Sequence, residues 1–303
     1  MSVLVVGEAL IDLLVSPDGR IEADPGGGPF NVARTIARLG VPASFGGGVS
    51  DDAFGRRIAS LLAEDGVDVP VSVRAGHPTT LALAELDAGG AATYRFYLTG
   101  TSAADVALAD LPPLEGVRVL AVGTLGLVME PIASTVDAAV AGVGADTLVF
   151  VDPNCRPGTI ADDDAYRALL DRLFSRADVV KVSGDDLAYL DPSVAPIDVA
   201  RAIQARGPRV VLFTDGADTV RIVHAAGDTP VPVPPVDVVD TVGAGDSFGG
   251  AFLAFWDAAG RGRDGLSDLE LVRATVERAI VVAGITCTRA GANPPRLDEL
   301  PGL

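Results

Sequence analysis

Five short runs of β-branched and other apolar residues recur along this chain, and stretches with helical periodicity separate them. The apolar runs cover residues 3–6, 117–122, 147–151, 179–182 and 210–213. Unbroken runs of this length are typical of strands covered on both faces of a parallel sheet. Helical periodicity is found at residues 31–39, 53–65, 132–141, 164–174, 199–206, 246–259 and 268–283. The alternation predicts an α/β fold with a doubly wound, mostly parallel sheet and helices on both of its faces.

One region departs from this alternation. Residues 80–86 and 91–99 are strand-like runs joined by Ala88, Gly89 and Gly90, and apolar and other side chains alternate in the second run. A period of two around a glycine turn predicts a hairpin. With residues 9–15 it would form a small separate sheet, which would close over a ligand or pair with another subunit. The alternative is an antiparallel extension of the main sheet's edge.

Charge excludes several classes of partner. The chain has 23 basic and 41 acidic residues, so its formal net charge is −18. Nothing would offset phosphate repulsion over a broad surface, so we expect no nucleic-acid or anionic-membrane partner. Lysine occurs once, as Lys181, and no GxxxxGK[ST] loop is present. The chain is therefore not a Walker-type NTPase.

Cysteine and histidine usage bears on metals and on the compartment. The two cysteines, Cys155 and Cys287, and the two histidines, His77 and His224, form no cluster with metal-ligand spacing. Protein-ligated zinc is not expected. The N-terminal MSVLVVGEAL does not resemble a signal peptide, and the apolar runs are shorter than the ~20 residues of a spanning helix. We expect a cytoplasmic protein.

A glycine-rich loop precedes the helix predicted to begin near residue 246. The small residues Gly243, Ala244 and Gly245 leave backbone amides uncovered at a helix N-terminus, which favours phosphate. Asp246 lies in the first turn, where its carboxylate could accept the proton of a hydroxyl attacking that phosphate. The alternative is a tight turn with Asp246 or Ser247 as an ordinary helix cap.

A second glycine-rich loop opens the first helix. Its glycines would let a neutral polyol approach the backbone, and the Asn31 amide offers donor and acceptor groups for hydroxyls. Alternatively, Asn31 is only the helix N-cap. Asp12 lies within the apolar stretch 10–15, so it is either exposed or bound to donors such as sugar hydroxyls.

Together these loops resemble the signatures of the ribokinase-like (PfkB-type) carbohydrate kinases. Residues 26–40, GGGPFNVARTIARLG, are similar to the N-terminal signature, and residues 240–254, DTVGAGDSFGGAFLA, to the C-terminal one. Further matches between and after them are GVSDDAFG at 48–55, DPNCRPG at 152–158, TDGA at 214–217 and TCTRAGA at 286–292. The resemblance spans essentially the whole chain, 1–303, as one domain.

The resemblance implies a role for each matching position. Asp246 would be the general base, with the amides of Gly243, Ala244 and Gly245 around the phosphoryl group. Asp12, Gly27, Gly28 and Asn31 would hold the sugar, and Thr214 and Gly216 would lie against the nucleotide. The small sheet, from about 9–26 and 78–100, would be a lid through which family members often form homodimers.

The metal motif departs from the family. Where the family has Asn-x-x-Glu, this chain has Ser183 and Asp186. A shorter carboxylate can still act on Mg²⁺ through water, so we expect magnesium dependence. The alternative is a helix N-terminus with acids favoured by the dipole. The family also frequently binds a monovalent cation such as K⁺, and Asp240 with the carbonyls near 287–292 occupies the matching region.

Arginines are the candidates for further ligand contacts, since no lysine lies in a phosphate loop. Arg156 follows the strand ending at residue 152, at the carboxyl end where α/β sheets bind ligands. Arg95 on the hairpin could reach the sugar. Either arginine could instead form a surface ion pair in so acidic a protein.

These features predict an ATP-dependent sugar kinase that transfers the γ-phosphoryl group to a primary hydroxyl. The sequence at residues 94–97, 152–154 and 287–295 is most similar to that of fructokinases. 2-Keto-3-deoxygluconate kinase and ribokinase are the alternatives, and a non-catalytic sugar or nucleotide sensor on the same fold is a remote one. A dinucleotide-dependent dehydrogenase is disfavoured because GEAL, not GxGxxG, follows the first strand.

Overall fold

A computed structural model describes residues 3–70, 74, 76–87, 89 and 92–302. The helices are α1 (Gly28–Arg38), α2 (Ala53–Glu64), α3 (Ile132–Gly142), α4 (Asp163–Arg176), α5 (Gly184–Leu190), α6 (Pro196–Gln204), α7 (Ala244–Ala258) and α8 (Leu269–Cys287). The strands are β1 (Val3–Val6), β2 (Leu10–Val15), β3 (Ile21–Gly26), β4 (Ala43–Gly46), β5 (Leu81–Leu86), β6 (Ala92–Tyr97), β7 (Val119–Gly123), β8 (Leu148–Asp152), β9 (Val179–Ser183), β10 (Val210–Asp215), β11 (Thr219–His224) and β12 (Gly227–Pro232). Within this part of the chain, no helix is both long enough and apolar enough to cross a bilayer.

The main sheet has eight strands in the order β12-β11-β10-β9-β8-β7-β1-β4. The strands from β10 to β4 are parallel, and β11 and β12 add an antiparallel edge. The five apolar runs are therefore strands β1, β7, β8, β9 and β10, which confirms the predicted doubly wound sheet. Their carboxyl ends lie along one edge, the usual ligand-binding edge of such sheets.

Alternating side chains of these strands enter two separate cores. On one side, Val5 and Phe150 pack with residues of α1, α2, α7 and α8. On the other, Val6 and Val151 pack with residues of α3, α4, α5 and α6. Both faces of each strand are thus covered, which is why the apolar runs are unbroken. Burying one such side chain contributes roughly 1.5–3 kcal/mol.

The remaining four strands form a separate sheet in the order β3-β2-β5-β6. The strands β2 and β5 are parallel, and the other two pairs are antiparallel. The predicted hairpin corresponds to β5 and β6, although Ala88, Gly90 and Ala91 in and beside its turn lie outside the described residues. The alternative that this hairpin extends the edge of the main sheet is wrong.

Pairing register divides the small sheet into two faces. Asp12 is opposite Ala82, which is opposite Phe96, and these paired positions share one face. Leu13, Leu83 and Arg95 are paired in the same way on the other face. The two sides of the sheet therefore carry different chemistry.

Candidate active site

The first turn of α7 leaves backbone donors open at the carboxyl edge of the main sheet. Gly243 precedes the helix with φ +74°, and a Cβ there would lie 2.5 Å from the Cβ of Ala292. Glycine is needed at this position on both counts. No side chain caps the helix, and in the described part of the chain the amides of Gly245 and Asp246 have no acceptor. Such a turn can bind an anion.

Asp246 lies directly beside these amides. Its Oδ2 accepts a hydrogen bond of 2.8 Å from Nδ2 of Asn31, and both side chains are buried. The interpretation of Asn31 as an N-cap is wrong, because α1 begins at Gly28 and Asn31 lies within its first turn. The two glycine-rich loops thus meet across 215 residues of sequence.

Buried polar atoms without partners concentrate around this contact. The Oδ1 atom of Asn31, the Oδ1 atom of Asp152 and the Oγ atom of Ser247 all lack a hydrogen-bond partner. Most buried polar atoms in folded proteins are paired, so each of these is available to a ligand or to water. Asp152 and Asp246 also line one narrow cleft, together with Gly28 and Thr124.

Lys181 lies beneath the α7 turn. Its Nζ is 2.9 Å from Oδ2 of Asp152, and both residues are buried. Burial raises the pKa of Asp152 to about 6, although Lys181 counteracts the shift. A Cβ on Gly245 would lie 3.0 Å from the same Nζ. The sequence had indicated no lysine available to this site, and the fold places the only one against it.

Asp12 lies at an exposed position of the small sheet, close enough to Asp246 for the two charges to interact. Lost hydration is the largest cause that raises its pKa, the negative charges of Asp246 and Asp24 raise it as well, and Arg156 lowers it, which together place the pKa at about 6. Close to Asp12, a Cβ on Gly26 would lie 2.0 Å from its Oδ2. An acid held near other acids is well suited to accept hydrogen bonds from uncharged hydroxyl groups.

The two arginine candidates lie in different places. Arg156 is exposed, and its guanidinium is near enough to Asp12 to lower the pKa of that carboxyl. Arg95 lies on the opposite face of the small sheet from Asp12, and its Nε is 3.2 Å from Oε2 of Glu85. The fold therefore brings Arg156 close to Asp12 but keeps Arg95 on the other face of the small sheet, because neighbouring positions of a strand point to opposite faces.

Residues predicted to contact the nucleotide meet at the ends of β9 and β10. Ser183 and Thr214 are paired in register, and Gly216 lies in the turn after β10 with φ +56°. Ser183 is also the N-cap of α5, in a capping box with Asp186. The alternative of a helix N-terminus with acids is thus present in the structure.

The carboxylate of Asp186 is buried and occupied by protein donors. Its Oδ1 accepts from the amide of Cys155 at 2.6 Å, and its Oδ2 accepts from the amide and the hydroxyl of Ser183, each at 2.7 Å. Among the described residues, no group of three or more His, Cys, Asp or Glu side chains could hold a metal ion. A role of Asp186 towards magnesium stays a prediction.

Asp240 connects the approach to α7 with the chain after α8. Its Oδ1 accepts from the amide of Val242 at 3.0 Å, and its Oδ2 from the amide of Gly291 at 2.9 Å. The amides of Val239 and Asp240 donate to the carbonyl of Cys287. The fold thus brings together the segments predicted for a monovalent cation, and the cation itself stays a prediction.

Glu8, which no sequence motif indicated, is completely buried after β1. Its Oε1 accepts from the amide of Gly28 at 3.1 Å and from the Thr124 hydroxyl, and its Oε2 accepts from the amide of Gly126 at 2.9 Å. Thr124 has φ +55°, a strained conformation for a β-branched residue. Glu8 therefore connects, through hydrogen bonds, the start of α1 and the segment after β7, which form two walls of the cleft. Its only signal in the sequence is an acid directly after a buried strand.

Glu8 should make stability depend on pH. Burial raises its pKa from 4.5 to about 7, against the opposing effect of its hydrogen bonds. The folded state therefore holds a proton that the unfolded state releases between these pH values, so this contribution to stability is lost as the pH rises through 7. Relative to Glu8→Gln, the wild type should lose up to about 3 kcal/mol of unfolding free energy between pH 5 and 8.

Urea unfolding of both proteins at several pH values measures this difference. Glutamine is isosteric and does not titrate, so all other groups cancel in the comparison. A stability difference that stays constant over the range would contradict the assignment.

The family comparison agrees with these motifs. Residues 1–299 match the family described as pfkB family carbohydrate kinase. Fructokinase of Klebsiella pneumoniae is 36% identical over 253 residues, covering 82% of each chain. Fructokinase of Salmonella typhimurium is 33% identical over 293 residues, covering 96% of this chain and 94% of its own.

Solved structures have the same fold. Fructokinase from Xylella fastidiosa with bound ATP has a TM-score of 0.89 at 28% identity, with 98% of this chain and 96% of that chain covered. Fructokinase from Vibrio cholerae O395, with fructose, ADP and calcium bound, has a TM-score of 0.83 at 27% identity, with 96% of this chain and 94% of that chain covered. Aminoimidazole riboside kinase from Salmonella enterica, complexed with aminoimidazole riboside and an ATP analogue, has a TM-score of 0.82 at 26% identity, with 96% of this chain and 95% of that chain covered.

Proposed function

Because this chain belongs to the pfkB family of carbohydrate kinases, we propose that it is a fructokinase, with fructose as its sugar and Asp246 as its catalytic base. One observation carries the assignment of the base. Asp246 is held by Asn31 at 2.8 Å beside the open amides of the α7 turn. A proton acceptor and an anion site are thereby adjacent, as transfer of a phosphoryl group to an alcohol requires.

The reaction follows from this arrangement. Asp246 removes the proton from a primary hydroxyl as the hydroxyl oxygen forms a bond to the γ-phosphorus of ATP. The bond from that phosphorus to the bridging oxygen breaks, and ADP leaves with the electron pair. The amides at the start of α7 stabilise negative charge on the moving group, and no covalent enzyme intermediate is needed.

We assign the sugar to the space between α1 and the small sheet. Asp12, Asn31 and the backbone of Gly27 and Gly28 supply the polar contacts. Gly27 has φ +106°, and a Cβ on Gly28 would lie 2.4 Å from Cγ2 of Thr124, so neither position accepts a side chain. The face of the small sheet that carries Asp12 acts as a lid and limits access of water to the phosphoryl group.

The nucleotide lies along the ends of β9 and β10, against Ser183, Thr214 and Gly216. Asp186 would act on Mg²⁺ through water, since protein donors already bond to both of its oxygens. When bound with ATP, the metal would supply positive charge against the phosphates. Asp240 and the carbonyls after α8 form the place for a monovalent cation such as K⁺.

A homodimer through the small sheet is part of the proposal. The face opposite Asp12 carries Leu13 and Leu83, with Ile21 and Tyr97 exposed at 64% and 52%. The Arg95–Glu85 ion pair lies on the same face. The exposed apolar side chains there favour pairing with a second copy. Light scattering should give a mass near twice 30.8 kDa, and Ile21→Lys should shift it to the monomer.

Substrate choice is tested by ADP release with fructose, ribose, 2-keto-3-deoxygluconate and adenosine, each with and without Mg²⁺. We expect the highest kcat/KM with fructose and no turnover without the metal. If another acceptor gave a kcat/KM tenfold higher than fructose does, that acceptor would be the assigned substrate, and the assignment as a kinase would stand. Sugar and ATP binding without any turnover would indicate a sensor.

A further inference from the structure

Lys181 is buried at the bottom of the proposed phosphoryl-transfer site. It lies on β9, and its ammonium pairs at 2.9 Å with Asp152 at the end of the neighbouring strand β8. Removing two charges from water costs several kcal/mol per ion, so a buried pair contributes little net stability by itself. Asp152 also keeps one oxygen without a hydrogen-bond partner. Stability alone does not account for this arrangement.

The ammonium is directed at the start of α7. A Cβ on Gly245 would lie 3.0 Å from Nζ and 3.6 Å from Cε, so the missing side chain is what lets the lysine approach the turn. A helix N-terminus already carries partial positive charge. The Lys181 ammonium and the positive end of α7 therefore lie at the same turn. Their mutual repulsion is offset only when negative charge lies beside them.

Three carboxylates supply that negative charge in the free protein. Burial lowers the pKa of Lys181, but Asp152, Asp186 and Asp246 raise it, and the net shift is upward. The lysine is therefore charged at neutral pH. Its ammonium is the cation that acts on all three carboxylates. These are Asp152, its ion-pair partner, the buried Asp186, and Asp246, the proposed base.

We propose that Lys181 is a positioning residue for phosphoryl transfer: its buried ammonium lies against Gly245 and favours an anion at the first turn of α7. The inference rests on the proposed function and adds to it a fixed internal counter-ion. Lys181 acts through the first turn of α7, since its ammonium is buried beneath that turn.

The experiment compares Lys181→Met, Asp152→Asn and the double variant, using kcat, KM and calorimetric ATP affinity. Lys181→Met should lower kcat roughly 10–100-fold, change the sugar KM much less and weaken ATP binding. Asp152→Asn keeps the ammonium, so it should bind ATP roughly tenfold more tightly than Lys181→Met does.

The two single variants separate charge from packing, because both disturb the same buried pair but only Lys181→Met removes the ammonium. The carboxylates that act on Lys181 in the described residues are Asp152 on β8, Asp186 on α5 and Asp246 on α7. Equal losses of ATP affinity in the two single variants would therefore indicate an effect of packing.

The double variant removes the buried charges together and should fold even where Lys181→Met does not. We expect its kcat to stay at least tenfold below that of the wild type. A double variant with the kcat and ATP affinity of the wild type would overturn the inference, as would a loss of ATP affinity in Asp152→Asn equal to that in Lys181→Met. A wild type that phosphorylates no sugar would instead overturn the proposed function.

Discussion

Asp246→Asn should lower kcat by roughly 10²–10⁴-fold while leaving sugar and ATP affinity within a few-fold of the wild type. The amide has the size of the carboxylate but cannot take up a proton. Its oxygen can still accept the 2.8 Å hydrogen bond from Asn31, so the loops at residues 26–31 and 243–246 should stay in place. The loss is therefore expected in the chemical step and not in binding.

Single-turnover kinetics and calorimetry measure the two parts separately. Asp164→Asn is the matched control, because Asp164 is an exposed acid in the first turn of α4 and should tolerate the change. Turnover of Asp246→Asn within tenfold of the wild type would exclude Asp246 as the base. An equal loss in the control would indicate a general effect of removing an acid.

The second large effect is expected at Asp12, where replacement by asparagine should raise the sugar KM roughly 10–100-fold. Hydrogen bonds to a charged acceptor are worth about 1.5–3 kcal/mol, which corresponds to this range of affinity. The kcat should change much less, since Asp12 binds the sugar and takes no proton from it. Glu22→Gln, an exposed acid further along the small sheet, is the control and should behave as the wild type.

The pH dependence of sugar affinity tests the same residue. Lost hydration, then Asp246 and Asp24, raise the pKa of Asp12 to about 6. Below that pH the carboxyl is protonated, so sugar affinity of the wild type should fall from pH 7 to pH 5. In Asp12→Asn this dependence should disappear. A dependence that persists in the variant would assign the titration to another group.

Two buried residues beside the cleft were indicated by no local pattern. Glu8 bonds both cleft walls, and Lys181 supports the turn that begins α7. Each follows or lies within a buried strand and resembles an ordinary polar interruption in the sequence. Their neighbours come from three separate segments, at the start of α1, after β7 and at the start of α7, and these segments meet only in the folded structure.

Arg95 shows the opposite error. The alternation in residues 93–98 correctly indicated a strand, but alternation does not say which of its two faces meets the ligand. Pairing of β6 with β5 and of β5 with β2 decided this, and it placed Arg95 opposite Leu83, away from Asp12. A register shift of one residue between β5 and β6 would have placed Arg95 on the same face as Asp12.

From the sequence we could predict the layered α/β architecture, the separate hairpin and the open turn at Gly243, because each depends on periodicity or backbone preference within a few neighbouring residues. We could not predict that Asn31 contacts Asp246, that Lys181 lies against Gly245 or that Arg95 faces away from Asp12. Those contacts depend on strand order and register, which set the loops that meet at the carboxyl edge of the sheet. No short stretch of sequence encodes that order, since it results from packing both faces of the whole sheet at once.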